Sequence, residues 1–262
     1  MCSKDAEQEG HWKLVVKEAD WAAALEPYTK RIDAFGAMFA DMASLMKRFP
    51  GLLSFKPTAA GSVRFRTLIK ANETVASAQE LWSSIVLLWS HGHILAATHC
   101  VRLVLELWAM LLFLKYEILE KMEKGVDSED LDELLQRLML GTNSNPLLPA
   151  GLEGPIDLVR IKKLNKIAKK KVGTYEEDYA FLCDVSHPSY VHSYFQFVRL
   201  QPGWSNPYAV EERHRILEHV TSALERALAG IRDVIAEIYE ECVPPLQAEI
   251  QSAASDKKDG PL

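Results

Sequence analysis

Arg102 and Glu106 stand four residues apart in a stretch, residues 81–114, that holds no other formal charge. At that spacing two side chains share one face of a helix, and His99 and Met110 fall on the same face. A charge surrounded by apolar side chains is costly unless it is paired and hydrogen-bonded. Arginine carries five N–H donors, more than one carboxylate can use. Partners must therefore come from other helices or from a bound anion. In the first case the pair is an internal clamp that fixes helix register. In the second it is the floor of a pocket, with Arg102 holding negative charge.

Residues 179–192 are the second place where chemistry concentrates. Tyr179, Asp184, His187, Tyr190 and His192 fall within fourteen residues. Asp184 and His187 are three apart, close enough to interact on a helix. A carboxylate neighbour and a helix C-terminus both favour the protonated imidazole, so His187 is a candidate general acid or base near neutral pH. Tyr179 and His192 are candidate ligand contacts. The structural alternative is that His187 caps exposed carbonyls ahead of Pro188.

Taken together, AATHCVRLVLELWAMLLFL and the later YAFLCDVSHPS resemble an uncharacterised bacterial family of helical domains. Its marks are an Arg-x-x-x-Glu on a central helix and a downstream Tyr…Ser-His-Pro segment. Here these are Arg102, Glu106, Tyr179, Ser186, His187 and Pro188, and the resemblance spans roughly residues 75–200. It implies that Arg102, Glu106 and His187 meet across the bundle, and it implies no activity. A second, shorter likeness is the spacing Arg213-x5-His219, which resembles the signature of HEPN-type helical ribonucleases. That likeness implies metal-independent action on RNA, usually across a homodimer. The same segment, EERHRILEH, reads equally as a solvated helix face.

Residues 160–171 hold seven basic and no acidic side chains. Ile161, Leu164, Ile167 and Ala168 keep one apolar stripe, so this is a surface helix docked by that stripe. Lys162, Lys163, Lys166 and Lys170 are its candidate contacts to phosphate or RNA. Aromatic residues for base stacking are missing. Metal sites are not expected. His91, His93 and His99 are close in sequence, but the residues three after Glu106, Glu117 and Glu120 are Ala109, Glu120 and Glu123, so the Glu-x-x-His repeats of a di-metal bundle are missing. No Gly-rich phosphate loop or nucleophile elbow occurs, and no cofactor is expected.

The elements that must hold these residues are helices. Apolar periodicity predicts helices over 21–48, from about 62, over 75–90, 94–124, 128–140, 156–171, 175–187 and 208–242. Pro50-Gly51, the His91-Gly92-His93 step, Gly125, Gly173-Thr174 and Pro244-Pro245 punctuate them. Ser128 is read as an N-cap, and Thr174 with Glu177 as a capping box. The helix over 94–124 is apolar on almost every side through Leu114, which marks a helix surrounded by others. The fold class is all-α, a multi-helix bundle around a buried central helix. Residues 1–11 are expected to be disordered, 12–242 to form one domain, and 243–262 to be a flexible tail. The turn-rich segment 141–155 is the longest loop.

With 262 residues and 48% hydrophobic composition, a large single core is within reach. A net charge of −6 argues against a general polyanion binder. The run over 81–114 is long enough to span a bilayer, but each central charge would cost about 2.5–3.5 kcal/mol there, so core helices are expected instead. The polar N-terminus lacks a signal-peptide pattern, and the four cysteines are widely spaced, so a cytoplasmic location is expected. Two functions stay open. One is a binding or regulatory protein whose internal polar pocket takes a small anion or nucleotide. The other is a metal-independent, RNA-cleaving hydrolase of a toxin or defence type. A third outcome is that the polar cluster is purely structural.

Overall fold

The computed structural model describes residues 18–47, 57–140, 161–186 and 207–256, and among them every element is helical. In chain order these are α1 (Glu18–Ala34), α2 (Gly36–Met46), α3 (Ala59–Ser90), α4 (Ile94–Phe113), a π-helical turn (Leu114–Leu119), α5 (Glu120–Glu123), α6 (Ser128–Leu140), α7 (Ile161–Lys171), α8 (Tyr175–Ser186) and α9 (Pro207–Asp256). The all-α bundle is the fold. A single apolar cluster runs through it from Leu25 to Leu246.

The central helix is α4, which packs against α3, α7, α8 and α9. It passes through the π-helical turn into α5 without a break. Residues 94–123 are long and apolar enough to cross a membrane, and 61% of the most apolar window is buried inside the bundle. Lys115, in the π-helical turn, pairs with Glu241 and lies 3.5 Å from Glu237 of α9.

Two helix ends show why the glycines were readable. At the end of α3, Gly92 has φ 71°, and the N–H groups of His93 and Gly92 return to the carbonyls of Leu88 and Trp89. At the end of α5, Gly125 has φ 82°, and Val126 and Gly125 donate to Lys121 and Met122. Both are Schellman closures, which need a left-handed residue and so favour glycine. His91 adds a side-chain contact, its Nδ1 lying 2.8 Å from the Leu87 carbonyl.

Several boundaries differ from the sequence expectation. The helix expected over 21–48 is interrupted at Phe35, giving α1 and α2. The two helices expected around 62 and over 75–90 are one, α3. Asp127, not Ser128, supplies the side-chain cap of α6, because its Oδ1 accepts the Glu129 N–H at 2.9 Å. The largest difference is at the C-terminal end. Residues 243–256, expected as flexible tail, continue α9 through Pro244 and Pro245. A proline inside a helix removes a hydrogen bond and crowds the preceding turn, at about 3 kcal/mol. Tertiary contacts offset that cost. Leu246 is buried, and Glu249 accepts hydrogen bonds from the Thr58 N–H at 3.1 Å and the Thr58 hydroxyl at 2.9 Å. Thr58 in turn caps α3 by accepting the Gly61 N–H. A carboxylate at a helix N-terminus is favourable, so the far end of α9 clamps the start of α3.

Helix directions follow from named pairs. Trp108 faces Gly230 and Lys115 faces Glu241, so α4 and α9 run the same way. Asp178 meets Arg226 and Phe181 meets His219, so α8 runs against α9 and therefore against α4. Residues 180–186 thus run toward the N-terminal half of α4.

Candidate functional site

Arg102 and Glu106 lie on the less covered side of α4, with side chains 14% and 21% exposed. They stand at the rim of the core, which corrects the expectation of a site deep inside the bundle. His99, on the same strip, is exposed. The Arg102 Nε is 3.7 Å from Glu106 Oε1, an ion-pair distance but too long for a hydrogen bond. That Nε is buried and makes no hydrogen bond. Glu106 Oε1 instead accepts the Tyr179 hydroxyl at 3.0 Å. Tyr179 therefore joins the pair.

An aromatic column supports this contact from below. Tyr179 stacks on Tyr175, with centroids 5.9 Å apart and planes 8° off parallel. Tyr175 meets the Trp108 ring edge-on at 6.1 Å. The buried Tyr175 hydroxyl donates to Asn165 Oδ1 of α7 at 2.7 Å. Burial, with Tyr179 and Glu106 nearby, holds the Tyr175 phenol far above its ordinary range. Burial also pushes Tyr179 up to about 12, with the Glu106 charge acting in the same direction. Both phenols are therefore neutral donors at physiological pH. Asn165, Tyr175 and Trp108 escaped the sequence reading. A tyrosine and an asparagine in amphipathic helices carry no local signal that they will meet.

A second polar group lies on the next helix face. The side chain of Asp178 is only 3% exposed. Arg226 holds it with two hydrogen bonds, Nε to Oδ2 at 2.9 Å and Nη2 to Oδ1 at 2.6 Å. This fork geometry matches guanidinium to carboxylate. His219 Nε2 is 3.2 Å from Asp178 Oδ1, close enough for an ion pair, yet its orientation makes no hydrogen bond. The imidazole stacks on Phe181 at 3.9 Å. His219 was read as part of a solvated face; it is instead turned toward α8 and three-quarters covered. Asp178 was missed because one acidic residue in the first turn of a helix normally reads as a dipole partner.

Other expected site residues are placed elsewhere. Asp184 is exposed on α8. Lys162, Lys163, Lys166 and Lys170 are exposed on α7, and no hydrogen bond or ion pair among the described residues joins them to the Arg102 group. Lys163 lies over the Phe113 ring at 5.5 Å. His187, His192 and the 141–155 loop fall outside the described residues, as does the Arg213 side chain. No set of three or more metal-ligating side chains comes together among the described residues. No family model, curated protein or solved structure matches this chain.

Proposed function

We propose that this is a binding or regulatory protein whose Arg102–Glu106–Tyr179 group recognises a small anion or nucleotide. One observation carries the reading. The Arg102 Nε is buried without a hydrogen bond, and the carboxylate oxygen nearest to it is engaged by Tyr179. A structural clamp would use that donor, since an unused buried donor costs about 1–3 kcal/mol. An anion entering from the rim takes up that donor, while the neutral Tyr179 hydroxyl and Glu106 set the orientation of a sugar or base edge.

The test is thermal unfolding with inorganic phosphate and a panel of nucleotides. A ligand at a hundred times its Kd stabilises by about 2.7 kcal/mol. For a chain of this size that raises Tm by roughly 5–10 °C. Arg102→Ala should abolish the shift while far-UV circular dichroism stays unchanged. A flat panel, or a shift that Arg102→Ala leaves intact, refutes the reading and favours a structural cluster.

The second reading is metal-independent RNA cleavage. It is favoured by His219, an imidazole set beside a buried carboxylate in the Arg213-x5-His219 segment. Total RNA incubated in EDTA should then be degraded, and His219→Ala or His187→Ala should stop it. Intact RNA at all protein concentrations would exclude it.

A further inference from the structure

The six lysines of α7 fall into two sets. Lys163 lies over Phe113, Lys169 pairs with Glu176 at 2.7 Å, and Lys171 lies over Tyr116 at 3.7 Å and 3.8 Å from Glu120. These three are engaged with the body of the protein. Lys162, Lys166 and Lys170 are exposed and have no carboxylate partner among the described residues. They are four residues apart, so they form one line along the helix, directly opposite the buried Leu164, Asn165, Ile167 and Ala168. At 1.5 Å rise per residue the line is about 12 Å long with about 6 Å between neighbours.

We propose that this lysine line binds the phosphodiester backbone of a single-stranded nucleic acid. The spacing is close to that of adjacent phosphates along an extended nucleotide chain. A single row follows one strand and has no second row to reach an opposing strand across a groove. An anionic membrane fits less well. A membrane-surface helix needs apolar side chains beside its lysines to enter the interface, and here the apolar stripe is spent on the core, leaving only Ile161 exposed. Charge also singles out this face. Residues 160–171 supply seven of the 30 basic side chains and none of the 36 acidic ones, so the rest of the chain is strongly acidic and repels a polyanion. Backbone contacts of this kind carry no base preference. The surface is separate from the Arg102 group, so either can fail without the other.

The experiment is fluorescence anisotropy of a labelled uridine oligomer with the full chain, over a series of salt concentrations. Three neutralised phosphates on a single strand predict a slope of log K against log salt of about −2. Lys162→Gln/Lys166→Gln/Lys170→Gln should lower affinity at least tenfold at low salt and flatten the slope. Lys30→Gln/Lys47→Gln/Lys124→Gln, with the same loss of charge on other faces, should stay within twofold of the native protein. All six positions are exposed, and circular dichroism checks that both variants fold. Absence of binding at low salt overturns the proposal. So does an equal loss in both variants. Binding to phosphatidylserine vesicles or to duplex DNA in preference to the oligomer overturns the single-strand assignment.

Discussion

Gly230→Ala should destabilise the protein, although alanine is the better helix former. Gly230 lies within α9, where replacing glycine by alanine ordinarily gains about 0.8–1 kcal/mol. Here a Cβ would clash with the Trp108 indole, overlapping Cε2 and Cζ2 and lying 2.5 Å from Nε1. The ring cannot retreat freely, because Trp108 is buried and packs edge-on against Tyr175. Forcing extra volume into a filled core typically costs about 1–3 kcal/mol. Set against the propensity gain, the net loss is up to about 2 kcal/mol, or up to roughly 8 °C in Tm. Urea unfolding with Gly230→Ala, Trp108→Leu and the double variant forms a cycle. The smaller leucine leaves room for the methyl group, so the double variant should recover the alanine gain, with a coupling of at least about 1 kcal/mol. Displaced Trp108 also presses on the Tyr175–Tyr179 stack, so near-UV circular dichroism should change in Gly230→Ala. An increase in stability for Gly230→Ala alone would refute the close helix approach of α4 and α9.

Two further outcomes are expected. Because Tyr175 and Tyr179 titrate above the unfolded value near 10, the folded protein keeps protons that the unfolded chain releases. Stability from this source is full below pH 10 and is lost as pH rises from 10 toward 12. Tyrosinate absorbance should show at least two phenols that ionise only with alkaline unfolding, and Tyr179→Phe should lower their number by one; early ionisation of all tyrosines would count against the buried stack. At the other end of the molecule, Glu249→Ala should cost about 0.5–2 kcal/mol and speed amide exchange at residues 58–61. Exchange there identical to the native protein would mean that Glu249 does not hold the start of α3.

The contrast between α9 and α8 shows what a linear reading can see. Ile216, Val220, Ala223, Leu224, Ala227, Ile231, Val234, Ile235 and Ile238 fall at helical spacing in the sequence, and every one is buried. Such a stripe follows from 3.6-residue periodicity, a local property. The continuation of that same helix past Pro244 was not legible, because its stabilisation comes from Glu249 at Thr58, 191 positions away in the chain. Likewise Arg102 and Glu106 could be paired from their spacing, and Tyr179 could be suspected. The Asp178–Arg226–His219 group could not be assembled, since nothing in the first turn of α8 says which face of α9 it will meet.

The sequence by itself determined that the chain is helical, that residues 94–123 lie against other helices, where glycines end α3 and α5, and that one charged pair interrupts an apolar run. Those properties depend on neighbours within a turn or two. Only the tertiary structure decided that the charged pair sits at the rim rather than at the centre, that Tyr179 takes the Glu106 oxygen, and that three of the six α7 lysines have no carboxylate partner among the described residues. These depend on helix direction and rotation, which are set by packing of the whole core, and no local pattern encodes them.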